Sequence, residues 1–115
     1  MMTNWNEYRT QLQSTIGEIA KVSPDLIRGY RTISDAGSKT GKLDPKTREL
    51  IALAVAVTVR CDGCITTHTD AAIKHGASKE EIVEALGVAI TVNAGAALVF
   101  SARVLDAFAA TATQK

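Results

Sequence analysis

The sequence is poor in aromatic side chains: one tryptophan, two tyrosines and two phenylalanines in 115 residues. Large rings therefore cannot organise the core. Alanine, valine and isoleucine must carry it, with small side chains and close backbone approaches. An excess of one charge is also missing, since 13 Lys and Arg stand against 12 Asp and Glu and no basic cluster occurs. A nucleic-acid partner thus has no electrostatic footprint. Met1 to Thr10 is polar and lacks the pattern of a signal peptide. An uninterrupted apolar run such as Ile51 to Val57 falls far short of the roughly 20 residues a membrane helix needs. The expectation is a cytoplasmic chain without a membrane partner. Cysteine is scarce as well. Cys61 and Cys64 are the only two, which excludes a multi-disulfide scaffold. In a reducing compartment such a pair points to catalysis or metal binding rather than to a structural staple.

What is present centres on that pair. Cys61-Asp62-Gly63-Cys64 is followed by His68. If the segment is helical, the two cysteines lie one turn apart on one face, close enough for their sulfurs to bond. His68 is one further turn along the same face. Its imidazole can exchange a proton with the Cys64 thiol, directly or through one water. A thiol in the first helical turn also meets the positive end of the backbone dipole, which favours thiolate, while Asp62 opposes that effect. A zinc site would need two more ligands. Only His68 and His75 are available, and His75 lies about 10 Å beyond His68 on the same helix. One helix cannot wrap a tetrahedral ion with these four, so the redox reading is preferred and no metal or cofactor is expected. His75, beside Gly76, reads as a helix-end residue favoured by the dipole.

The rest of the chain reads as helix throughout. Trp5, Tyr8, Leu12, Ile16 and Ile19 form one apolar stripe on a first helix of about 21 residues. Ser23-Pro24-Asp25 starts a second, which the glycines between Gly37 and Gly41 should end. Asp44-Pro45 starts a third, running to about Val59 and apolar all round from Leu50, hence central and buried. The cysteine helix spans about Asp62 to His75 and stops at Gly76. Ser78 to Glu81 is a capping box, so the carboxylates of Glu80, Glu81 and Glu84 read as a solvated helix face rather than a catalytic pair. Ile82, Ala85, Leu86, Ala89 and Ile90 form the buried face of a fifth helix. A break over Asn93 to Gly95 separates it from a sixth, about Ala96 to Ala110, and Thr111 to Lys115 reads as a frayed tail. The expected architecture is all-α: six helices in one domain over residues 1–115.

The run Asp44-Pro45-Lys46-Thr47-Arg48-Glu49-Leu50-Ile51-Ala52-Leu53-Ala54, followed by Cys61, Cys64 and His68, resembles the AhpD-like, or carboxymuconolactone decarboxylase, superfamily. The likeness covers about Leu43 to Phe108. Its motif is specific: a glutamate, two cysteines and a histidine at fixed spacings. The resemblance implies a helical fold assembling as trimers or hexamers and a thiol-disulfide peroxidase chemistry. By it, Cys64 attacks the peroxide and Cys61 resolves the sulfenic acid into a disulfide. His68 relays the proton and Glu49 is the ultimate base. On its own, Glu49 would be an ordinary charge in the first turns of a helix. One branch of the superfamily carries a further histidine directly before its second cysteine, where this chain has Gly63.

The expected activity is thus peroxide reduction through a Cys61–Cys64 dithiol cycle. Its partners are a small-molecule peroxide and an external dithiol reductant. A lyase, decarboxylase or isomerase acting on a small carboxylic acid or lactone through Glu49 and His68 is the alternative, since the decarboxylase branch does not depend on the cysteines. A third reading is a non-catalytic redox-sensing or assembly subunit. Two helices apolar on more than one face exceed what so small a monomer can cover, so a homo-oligomer is expected.

Overall fold

The computed structural model describes residues 1–113. It is all-α, with five helices among the described residues: α1 Trp5–Val22, α2 Pro24–Thr40, α3 Pro45–Val59, α4 Asp62–Lys74 and α5 Lys79–Ala112. Local chemistry sets most boundaries. The Asn4 side chain accepts from the Glu7 N–H at the start of α1. The Asp44 side chain accepts from the Thr47 N–H at 2.8 Å, opening α3 before Pro45. Those hydrogen bonds hold the Asp44 carboxyl below its usual range. Ser78 and Glu81 exchange reciprocal bonds of 3.0 and 2.9 Å, the expected capping box of α5. Ser23 stands at the start of α2 but makes no side-chain cap bond; Pro24 in the first turn marks the boundary instead.

Three expectations need correction. First, the fifth and sixth helices are one helix of 34 residues, about 51 Å long. Asn93 does not break it, because its amide nitrogen donates to the Ala89 carbonyl one turn back at 2.7 Å and to Thr58 Oγ1 of α3 at 3.0 Å. The helix also continues through Thr111 and Ala112, in place of the expected frayed tail; the last two residues of that tail lie outside the described residues. Second, the segment from Gly37 to Thr40 is helix rather than loop; α2 ends within the expected span, at Gly41, whose left-handed φ of 66° is the conformation glycine adopts without cost. Third, α3 is central but not buried. It packs on α4 and α5, yet only Leu53 and Ala56 are enclosed, while Ile51, Val55 and Val59 are about half exposed or more. Ile90 is likewise exposed, although its neighbour Ala89 is buried. These side chains are left half or more open in a single chain.

Alignment follows from individual contacts. Lys46 meets Glu81 at 2.7 Å and Thr58 meets Asn93, so α5 runs parallel to α3. The α3–α4 connection is tight. Arg60 takes the left-handed conformation, φ 55°, and the chain reverses with the Cys61 N–H bonded to the Ala56 carbonyl at 3.0 Å. That conformation costs a residue with a β-carbon about 1–2 kcal/mol, and it seats Cys61 at the head of α4.

The Lys46–Glu81 contact gives a measurable acid dependence. The Lys46 ammonium, helped by the Ser78 N–H, lowers the Glu81 carboxyl from 4.5 to about 2. A depressed carboxylate contributes stability that is fully present above its unfolded value and lost as pH falls through its folded value. Glu81→Gln should therefore lower the Tm near neutral pH. The gap to wild type should close between pH 4.5 and 2, and should narrow in high salt because the pair is exposed. Thermal melts over pH 2 to 7 check this; a gap that persists at pH 2 would assign the effect to packing.

Candidate functional site

The site is built on the first two turns of α4 and on one residue of α3. Cys61 caps α4 with extended backbone, and its sulfur accepts the Cys64 N–H at 3.1 Å. A sulfur thus occupies the place an Asn, Asp or Ser oxygen usually takes. Cys61 and Cys64 are joined as a disulfide, with Cα atoms 5.2 Å apart. Both are partly shielded.

Glu49 faces α4 from the second turn of α3, on the same side as the buried Leu53 and Ala56. Its Oε2 lies 2.7 Å from His68 Nδ1. An ionised carboxylate can only accept, so Nδ1 carries the proton and Nε2 is left free to take or give one. The carboxylate also fixes the ring orientation. The two side chains are 21% and 33% exposed, which leaves the imidazole reachable by a small molecule.

All four residues singled out from the sequence therefore lie together, as two bonded pairs. Glu49 holds His68, and Cys61 holds Cys64. Among the described residues no hydrogen bond joins His68 to Cys64 in this oxidised state, where the Cys64 sulfur is drawn toward Cys61. His75 stands apart, exposed at the C-terminal cap of α4. No three Cys, His, Asp or Glu side chains among the described residues converge as metal ligands would.

Thr66, Arg9 and Asp70, which carry no signal in the sequence, also shape the site. Thr66 is 3% exposed, donates to the Trp5 carbonyl and accepts from Arg9, both at 3.3 Å. Arg9 also reaches Asp70 at 3.9 Å. These contacts lay the N-terminal half of α1 along α4 and bring Leu12 over Gly63. A β-carbon on Gly63 would stand 2.8 Å from Leu12 Cδ2, closer than real contacts allow. A side chain at position 63 would therefore have to push the end of the Leu12 side chain aside.

The same fold occurs among known proteins. The profile of the carboxymuconolactone decarboxylase family matches residues 24–107. An uncharacterised protein of Haemophilus influenzae is 45% identical over 108 residues, 94% of this chain and 96% of that one. The uncharacterised protein 4 of the cox locus of Paracoccus denitrificans is 36% identical over 84 residues, 73% of this chain and 76% of that one. Among solved structures, an apo carboxymuconolactone decarboxylase family protein from Legionella pneumophila superposes with a TM-score of 0.73 at 36% identity, covering 90% of this chain and 93% of that one. A protein from Methanobacterium thermoautotrophicum gives 0.69 at 29% identity, covering 75% and 97%. With the match spanning most of its length and the fold shared, this chain belongs to the carboxymuconolactone decarboxylase family.

Proposed function

We propose that the chain is a thiol-dependent peroxidase of the alkylhydroperoxidase kind, with Cys64 as the attacking thiol. The observation that carries this reading is the meeting of a bonded Glu49–His68 pair with a closed Cys61–Cys64 pair one turn away. His68 Nε2, with Glu49 behind the ring, takes the Cys64 proton. The Cys64 thiolate attacks the peroxide O–O bond, forming a sulfenic acid, and His68 returns the proton to the departing alkoxide. Cys61 then attacks the Cys64 sulfur, and water leaves as the disulfide forms.

Regeneration needs an external dithiol. Its thiolate attacks Cys64, and Cys61 departs as a thiolate. Cys61 suits the leaving role because its sulfur receives the Cys64 N–H at the positive end of α4. The second thiol of the reductant completes its own disulfide and frees Cys64. The cycle requires no cofactor and belongs in a reducing compartment. The exposed apolar surface supports a homo-oligomer, a trimer or hexamer, as the working form.

One observation favours a second reading. Glu49 and His68 form an acid–base dyad without either cysteine, as a lyase acting on a small carboxylic acid or lactone would need. Intact mass after one equivalent of peroxide, with and without a dithiol, tests the first reading. The reduced chain should lose two hydrogens and regain them with the dithiol. A chain whose mass stays unchanged would not be a peroxidase. Turnover of a carboxylic acid or lactone that survives thiol alkylation would transfer the site to the lyase reading.

A further inference from the structure

Among the described residues, Gly41, Arg60 and Gly76 take the left-handed backbone conformation. They stand at or just past the ends of α2, α3 and α4. Glycine adopts that conformation freely, whereas a β-carbon makes it strained. Only directly before Cys61 does the chain keep a side chain there. The turn is also pinned. The N–H groups of Arg60 and Cys61 both donate to the Ala56 carbonyl, that of Cys61 at 3.0 Å, and Ala56 is 3% exposed. Strain that the surroundings maintain in this way gathers at functional sites.

The charge of that side chain is uncompensated. Arg60 is exposed, and among the described residues it enters no ion pair. Asp62, on the other side of Cys61, is likewise exposed and in no ion pair among the described residues. Glu49 and His68, by contrast, are bonded to each other. Cys61 thus lies in sequence between a cation and a carboxylate. Neighbouring Cα atoms are about 3.8 Å apart, so either charge can act on the Cys61 sulfur across roughly one Debye length, about 10 Å at 0.1 M salt. α3 has no basic residue in its last turn, so Arg60 could instead serve the negative end of that helix. A basic residue inside the turn would do so without backbone strain.

We propose that Arg60 stabilises the Cys61 thiolate as it leaves in the reductive half of the cycle, against the opposing charge of Asp62. This rests on the peroxidase reading above and adds a residue to it. In that half, one thiolate of the dithiol reductant attacks the Cys64 sulfur. The Cys61–Cys64 bond breaks, and its electron pair departs on Cys61. The second thiol of the reductant then displaces Cys64 from the mixed disulfide. The reductant is oxidised, both cysteines are reduced, and the two protons of the reductant pass to them. A sulfur that is better stabilised as an anion leaves faster. The guanidinium thus joins the Cys64 N–H and the positive end of α4 in favouring departure from Cys61. Arg60 acts through Cys61, so it is a positioning residue rather than a catalytic one.

Three full-length variants separate charge from backbone. Arg60→Gln removes the charge and keeps the strain, Arg60→Gly removes both, and Arg60→Lys keeps both. With Cys64→Ser added, Cys61 is the only thiol, and its alkylation by uncharged iodoacetamide at pH 7 and low salt reads its thiolate. The rate should fall about threefold with Arg60→Gln and Arg60→Gly and return with Arg60→Lys. High salt should narrow the difference, and Asp62→Asn should raise the rate. Reduction of the native pair by dithiothreitol should slow in the same order. The Tm should follow the backbone instead and be highest with Arg60→Gly. Equal alkylation rates in all chains, or a change with Arg60→Gly alone, would overturn the role of Arg60 and leave the cycle standing. A wild-type pair that dithiothreitol reduces but peroxide does not close again would overturn the peroxidase reading, and the alkylation rates would still decide on Arg60.

Discussion

Cys64→Ser is expected to abolish reaction with peroxide, whereas Cys61→Ser should trap its product. The two variants remove different steps. Without Cys64 no thiol lies one turn from the Glu49–His68 pair, and intact mass should stay unchanged after peroxide. Without Cys61 the attack still occurs, but nothing within reach closes the disulfide. The Cys64 sulfenic acid should then accumulate, gaining one oxygen, and pass to sulfinic and sulfonic acids with excess peroxide. The structure sharpens this test, because the Cys61 sulfur is the one that accepts a backbone N–H at the head of α4. If thiolate stability alone chose the nucleophile, Cys61 would be the residue that oxidises. A sulfenic acid trapped on Cys61 in the Cys64→Ser variant would reverse the assignment. The outcome therefore decides between proximity to a base and stabilisation by the helix terminus.

His68→Phe should lower the rate of peroxide reduction at neutral pH by about 10²- to 10⁴-fold, the usual worth of general acid–base catalysis. Phenylalanine retains an aromatic ring against α3 but cannot accept the Cys64 proton. The loss should shrink at high pH, where Cys64 ionises unaided. Stopped-flow rates of single peroxide turnovers across pH 6 to 10 provide the check. An equal loss at every pH would assign His68 to packing. Glu49→Gln should behave as a weaker copy, since glutamine can still accept from Nδ1 as Glu49 does but removes the negative charge behind the ring.

Much of the local architecture is legible in the amino-acid sequence. Four of the five helix starts carry a polar cap or a proline, because capping is satisfied within three or four residues and needs no tertiary partner. The pairing of Cys61 with Cys64, and the place of His68 one turn on, follow from helical spacing in the same way. Glu49 is different. Nineteen residues separate it from His68, and physical pattern alone reads it as a solvated charge; only the motif singles it out. Tertiary packing decided that α3 turns Glu49, Leu53 and Ala56 toward α4. It set the Leu12 side chain against Gly63. It also carried α5 unbroken through Asn93, because an amide that reads locally as a helix breaker finds Ala89 and Thr58 as partners. Caps, prolines and residue periods act over a single turn, so one chain's sequence displays them. Which faces meet depends on contacts between residues far apart in sequence, and Leu26, Tyr30 and Ile33 of α2, like the apolar residues of α5 beyond Ala96, stay exposed in a single chain.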